Sequence, residues 1–288
     1  MTLTELIHST EQRLQIAGVS FGQGTTNAFD EAVWLVLWRL GLPLDCDLDT
    51  EGERPVTVDE QAQVSALIEQ RITTRQPAAY LTQEAWLQGV SFYVDERVII
   101  PRSLIAEPLA DGTLDAWLSA DTRHVLDLCT GNGSLAVLAA LAWPDVNVTG
   151  ADLSPDALAV AHINVDRHGL QGRVTLIESD GLTACPGPYD LILCNPPYVN
   201  AQSMAELPAE FRAEPELALA GGNDGMDFVR ALLRDAPSRL SAHGVLVLEI
   251  GHERAHFEAA FPQLQPVWLS TSAGDDQVLL LTAEALRG

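Results

Sequence analysis

The sequence predicts an α/β protein in which a mostly parallel, Rossmann-like sheet, covered by helices on both faces, follows a small helical domain and a connecting β-hairpin. Three observations carry this. At 288 residues the chain exceeds the usual size of one hydrophobic core, so two domains are expected. Apolar residues recur with helical spacing before residue 83, and aromatic and β-branched residues dominate 83–102. From His124 onward strands and helices alternate, the pattern of a parallel sheet. The expected divisions are 1–82 (helical domain), 83–115 (hairpin and linker helix) and 116–288 (sheet domain).

Leu3–Ala17 reads as an amphipathic helix. Asn27 is placed to cap a second, largely buried helix that runs through Trp38 and ends at Gly41-Leu42-Pro43. Thr57 and Glu60 have the capping-box spacing ahead of a helix to Ile72. Gln83–Ile100 reads as two strands with a turn at Val94–Val98, and Leu104–Leu118 as a helix. In the sheet domain, strands are expected at 124–128, 146–151, 174–178, 191–194, 244–250 and 277–282. Helices are expected at 134–142, 155–168, near 226–240, and at 254–261. Asp275-Asp276 reads as a turn, and Trp34 and Trp38, one helical turn apart, as core of the first domain.

Composition excludes several classes. Apolar residues make up 47%, too many for a disordered chain. The longest apolar run, Leu135 to Trp143, is too short for a bilayer, which takes about 20 residues. The amino terminus carries Glu5 and His8 where a secretory signal would have a basic and then an apolar stretch, so a cytoplasmic protein is expected. Cys46, Cys129, Cys185 and Cys194 lack metal-type spacing and read as buried, reduced thiols. His162, His168 and His243 also lack ligand spacing, and no metal is expected. Net charge is −24, every basic residue is Arg, and both parts are acidic: 18 acids against 7 Arg in 1–115, and 22 against 9 thereafter. Such a surface repels phosphate backbones, so no direct nucleic-acid binding is expected. It suits a basic protein partner, or serves solubility or adaptation to salt.

The chemistry gathers where strands end. Asp127-Leu128-Cys129-Thr130-Gly131-Asn132-Gly133 is a strand-to-helix turn with two glycines, shorter than a dinucleotide fingerprint. Asp152 and Leu153 end the next strand, where an acidic residue can accept both hydroxyls of a ribose. Asp180 and Gly181 end the third, with Asp180 able to bond an adenine amino group. Together these outline a nucleoside pocket without a phosphate cradle. Asn195-Pro196-Pro197-Tyr198 ends the fourth strand. Its prolines lack N–H groups and hold φ near −65°, which keeps carbonyls of this stretch out of helix or sheet pairing. Asn195 adds an amide acceptor and Tyr198 a flat face, so a planar group bearing NH2 fits here.

These residues resemble those of class I S-adenosylmethionine-dependent methyltransferases, and Asn195-Pro-Pro-Tyr198 narrows the resemblance to enzymes that methylate planar amino or amide nitrogens. Glu214-Pro215-Glu216-Leu217-Ala218-Leu219 followed by Gly221-Gly222-Asn223-Asp224-Gly225 resembles the protein glutamine-N5 methyltransferase family, as do the helical amino-terminal domain and the hairpin ending Ile100-Pro101-Arg102. The resemblance spans nearly the whole chain. It implies S-adenosylmethionine as methyl donor, bound by Asp127, Cys129, Thr130, Gly131, Asn132, Gly133, Asp152, Leu153, Asp180, Gly181 and Asn195. It further implies that Asn195, Pro196 and Tyr198 act in catalysis, and that Asn195 to Tyr198, Arg102 and Glu214 meet the substrate. Arg102 orders the loop, contacts the substrate or makes a plain salt bridge; Glu214 either braces that loop or is an ordinary exposed acid.

Two substrate branches differ in detail. Gly22-Gln23-Gly24-Thr25-Thr26-Asn27 with Asp30-Glu31-Ala32, Phe92–Val98, and Pro101-Arg102-Ser103 resemble the branch acting on large-subunit ribosomal protein 3. Peptide-chain release factors are the alternative substrate, and nucleic-acid adenine the more distant one. Cys129 stands where a glycine is usual, a substitution common in the ribosomal-protein branch. Ala28 replaces a frequent proline.

Overall fold

Successive residues of the central strands enter two different cores, which is why these strands read as continuous apolar runs. Val125, Leu191, Leu193, Val245 and Val247 lie in the core on one face of the sheet. Leu126, Leu128, Ile192, Leu246 and Leu248 lie in the core on the other. The structure is a computed structural model that describes residues 1–288. After a hairpin of β1 (Ala85–Leu87) and β2 (Val90–Phe92), the large sheet comprises β3 (His124–Leu128), β4 (Asn147–Asp152), β5 (Val174–Glu178), β6 (Tyr189–Cys194), β7 (Leu240–Glu249), β8 (Val267–Thr271) and β9 (Gly274–Thr282). Their order is β5-β4-β3-β6-β7-β9-β8. β3 to β7 run parallel, and β9 pairs antiparallel with both β7 and β8. The chain lays β4 and β5 to one side of β3 and then β6 to the other, so the switch point falls between β3 and β6. Leu128 is level with Cys194 there, so Cys129 and Asn195 leave the sheet side by side.

The chain divides into two compact units: Met1–Ala85 with Pro208–Ala213, and Trp86–Leu207 with Glu214–Gly288. In the first, Thr2 and Thr57 complete capping boxes on the helices Leu3–Ala17 and Val58–Thr74, and Asn27 caps Ala28–Arg39. Leu3, Ile7, Leu14, Leu35, Leu37 and Ile68 are fully buried. Arg71, also buried, donates from Nε to Glu31 Oε1 at 2.8 Å, from Nη1 to Glu210 Oε1 at 3.3 Å and from Nη2 to the Ser20 carbonyl at 3.0 Å. Arg75 Nε also meets Glu210 Oε1, at 2.8 Å. Burial pushes the Glu31 carboxyl up, and Arg71 only partly offsets it. For Glu210, burial acts the same way but is outweighed by donors from Ser20 and Arg71, so its carboxyl is held low.

Several elements differ from the sequence expectation. The hairpin turns at Gln88-Gly89, both with positive φ (49° and 75°), the geometry of a two-residue primed turn, and not at Val94–Val98. In Val94–Val98, Asp95 instead grips Arg97, accepting from its N, Nε and Nη2. The helix expected over 104–118 breaks at Gly112 (φ 81°) into Ala106–Ala110 and a 3-10 turn at Thr113–Trp117. The one expected near 226–240 stops at Asp235 because Pro237 cannot continue it. β8 and the helix Ala201–Glu206 have no counterpart in that reading. Asp275 and Asp276 lie in β9, and the turn sits just before it. Cys185 and Cys194 are buried, but Cys46 and Cys129 are partly exposed. Trp34 is buried and Trp38 partly so. No helix is long and apolar enough to cross a membrane.

Candidate active site

The residues at the carboxyl ends of β3, β4, β5 and β6 line one pocket in the larger unit. Cys129, Gly131, Asp152, Leu153, Asp180, Gly181 and Asn195 to Tyr198 all face it, together with Arg102. The other residues expected to bind the cofactor stand behind this wall. Asp127 is 1% exposed; its Oδ2 accepts from Thr130 Oγ1 at 2.5 Å and from Ala136 N at 2.9 Å, and its Oδ1 is buried without a partner. Burial pushes the Asp127 carboxyl up to about 7, with Asp152 adding a smaller push in the same direction. Thr130 N bonds the Ala151 carbonyl at 3.0 Å and ties the turn to β4. A Cβ on Gly133 would meet Ala161 at 3.1 Å, so this glycine lets the turn pack on the helix Pro155–Arg167. Asn132 is buried, and its carbonyl accepts from Asn164 Nδ2 at 2.9 Å.

The turn itself requires unusual backbone. Cys129 has φ 61°, a left-handed conformation that costs a non-glycine residue roughly 1–2 kcal/mol. Gly131, also left-handed, would place a Cβ no nearer than 3.7 Å to Ile99, so its face toward the pocket is open. Its N–H donates to Asp152 Oδ2 at 2.9 Å, and Ser154 N donates to Asp152 Oδ1 at 2.9 Å. These bonds hold the Asp152 carboxylate at the pocket wall, though burial still pushes its pKa up.

The segment that follows β6 is held from several sides. Val199 forms an isolated parallel bridge with Ala220, closing a loop just before Gly221 and Gly222. A Cβ on Gly221 would lie 2.7 Å from Tyr198 Cα, and one on Gly251 would lie 2.5 Å from Tyr198 Cε2. Only glycine fits against Tyr198 at these two places. The Tyr198 hydroxyl donates to Glu249 Oε1 at 3.1 Å. Burial, and then the Glu249 carboxylate, push the phenol well above its ordinary value. Glu214 is buried: it accepts from Arg102 through Nη1 at 2.6 Å and Nη2 at 2.7 Å, and from Ile100 N at 3.0 Å.

Four functional positions escaped the sequence reading. Phe228 and Leu219 add apolar wall to the pocket. Glu249, the last residue of β7, and Asn164, which bonds the Asn132 carbonyl and both backbone groups of Tyr93, brace it from behind. A buried polar residue at a strand end was the available signal for Glu249.

A parallel sheet with its switch point at the glycine turn and an Asn-Pro-Pro-Tyr segment on the neighbouring strand end defines a class I methyltransferase. A model of the methyltransferase small domain matches residues 112–222. The hMettl16 catalytic domain, solved in complex with MAT2A 3'UTR hairpin 6, has the same fold at 15% identity, with a TM-score of 0.54 over 78% of this chain and 81% of that one. The ribosomal protein uL3 glutamine methyltransferase of Bordetella pertussis is 56% identical over 99% of this chain and 96% of its own length, and that of Burkholderia pseudomallei is 52% identical over 99% and 95%. The chain belongs to the family of ribosomal protein uL3 glutamine methyltransferases.

Proposed function

We propose that this protein transfers a methyl group from S-adenosylmethionine to the N5 amide nitrogen of a glutamine in ribosomal protein uL3. The observation that carries the reading is the meeting of Asn195-Pro196-Pro197-Tyr198 with Gly131, Asp152 and Asp180 in one pocket. The pocket suits the donor. Gly181 leaves open space where a side chain would stand, Gly131 has only Ile99 near its Cβ position, and Asp152 is fixed by two backbone donors. When bound, S-adenosylmethionine supplies an electrophilic methyl on a sulfonium. Asp152 would accept from its ribose hydroxyls and Asp180 from its adenine amino group, and Leu153 and Phe228, which line the same pocket, would offer apolar contact.

A glutamine amide nitrogen is a weak nucleophile because its lone pair is shared with the carbonyl. The Asn195 side-chain oxygen and the Pro196 carbonyl accept its two N–H bonds, stop it rotating and raise electron density on nitrogen. Tyr198 packs on the amide plane. Positioning of this kind supplies up to roughly 7–11 kcal/mol of a bimolecular barrier. As the nitrogen takes the methyl, the donor's S–CH3 bond would break and S-adenosylhomocysteine would leave; the charged nitrogen then loses its proton to water, so the site needs no strong base.

The relatives' names support a ribosomal protein as substrate, and the acidic surface suits a basic partner better than a nucleic acid. The same reading has the enzyme act in the cytoplasm, with 1–82 as the part that recognises the substrate. Incubation with labelled S-adenosylmethionine and, separately, purified uL3, release factor or RNA tests this. Label is expected in uL3, and label in release factor or RNA alone contradicts it.

A further inference from the structure

Glu249 is a carboxylate 3% exposed, at the end of β7, with no cation among its hydrogen-bond partners. Burying such a group costs several kcal/mol unless its oxygens are satisfied. Here they are: Oε2 accepts from Ser103 Oγ at 2.7 Å and Leu104 N at 2.9 Å, and Oε1 from the Tyr198 hydroxyl at 3.1 Å. The ring of Tyr198 is closed in on its other side by Gly251, where any side chain would collide with it. The phenol therefore has one defined direction, set by one buried acceptor.

We propose that Glu249 is a positioning residue for methyl transfer, fixing the plane of Tyr198 against which the acceptor amide packs. The inference rests on the proposed reaction for its meaning and on the Tyr198–Glu249 bond for its geometry. Glu249 also ties Ser103 and Leu104, next to Arg102, to the same carboxylate, so the two walls that hold the acceptor share one anchor. A neutral amide does not reproduce it: with its oxygen on Ser103 and Leu104, a glutamine donates from its NH2 to the Tyr198 oxygen, a reversed and uncharged bond that leaves the phenol proton without its carboxylate acceptor.

The test is a double-mutant cycle with Glu249→Gln and Tyr198→Phe, measured as kcat and as KM for S-adenosylmethionine. Each single change is expected to lower kcat about 10-fold or more, as loss of alignment does, with KM for the donor unchanged. The double variant is expected to be no slower than the slower single one, because both changes act through the same Tyr198–Glu249 bond. Losses that multiply in the double variant, or Tyr198→Phe turning over at the wild-type rate, overturn the proposal. The ring is also read directly by NMR of 13C-labelled tyrosine, in a chain with only four tyrosines. Glu249→Gln should shift the Tyr198 signals and leave the others in place; unchanged Tyr198 signals overturn the proposal. Should Glu249→Gln not fold, Glu249→Asp, which keeps the charge and withdraws it by one methylene, takes its place in both measurements. Wild-type enzyme inactive on uL3 would contradict the proposed reaction, and the NMR signal would still decide this inference.

Discussion

Arg102 and Glu214, 112 positions apart, meet through two parallel hydrogen bonds of 2.6 and 2.7 Å, the forked geometry that makes guanidinium–carboxylate pairs strong. Glu214 is wholly shielded while Arg102 keeps 27% of its side chain exposed, so the two partners are not equivalent. Arg102→Ala strands a buried carboxylate and is expected to cost about 3–5 kcal/mol, whereas Arg102→Lys recovers only part because it lacks the fork. Glu214→Gln, which leaves a partly exposed guanidinium that still donates to the Ile100 carbonyl, should cost less than Arg102→Ala. Urea unfolding of the three variants checks the order, and equal costs would contradict the geometry.

Asp127 gives the fold a pH dependence. Its folded pKa, about 7, lies above the ordinary carboxylate value, so the folded state favours the protonated form. Its contribution is fully present below about pH 4 and is lost as pH rises toward 7, at up to about 1.4 kcal/mol per pH unit. Asp127→Asn, neutral throughout, should flatten the wild-type fall in stability between pH 5 and 7. Parallel pH profiles of unfolding free energy in the two proteins would show that Asp127 is not its source.

In the helical unit, Arg71 neutralises two carboxylates, Glu31 and Glu210, and Arg75 only Glu210. Arg71→Ala is therefore expected to destabilise by about 3–5 kcal/mol, and the partly exposed Arg75→Ala by clearly less. Thermal unfolding followed by circular dichroism compares them; the reverse order would contradict the network described.

The helices and most strands of this protein were legible in its sequence because their signals are local. Thr2 and Thr57 begin helices through contacts three residues away, and the apolar runs of β3 to β7 reflect burial on both faces. The switch-point loops were legible for the same reason, since glycines and prolines mark backbone that must turn. What was hidden depends on partners distant in the chain. Glu210 reads as one acid among 40, yet it is buried beside Arg71, 139 positions away. Asn164 and Glu249 sit within ordinary helical and strand patterns and show their roles only against Tyr93 and Tyr198. The turn at Gln88-Gly89 was misplaced because Val94–Val98 is richer in charge, while the positive φ values that close the hairpin leave only one glycine as a trace.

Gly251→Ala tests the packing around Tyr198 without touching a polar group. Its Cβ would stand 2.5 Å from the ring, and its φ of 53° strains any side chain. The ring must move, so methyl transfer should fall at least about 10-fold while S-adenosylmethionine binding, measured by calorimetry, is retained. Unchanged turnover would show that Tyr198 tolerates displacement.

The central claim is that Asn195 holds the acceptor glutamine for methylation. Tandem mass spectrometry of purified uL3, incubated with S-adenosylmethionine and either wild-type protein or Asn195→Ala, tests it most directly. The expected result is one methyl group on a glutamine side chain with wild-type protein and none with Asn195→Ala, although the variant still binds the donor. A methylated glutamine produced equally by Asn195→Ala, or no methylated glutamine with wild-type protein, would contradict it.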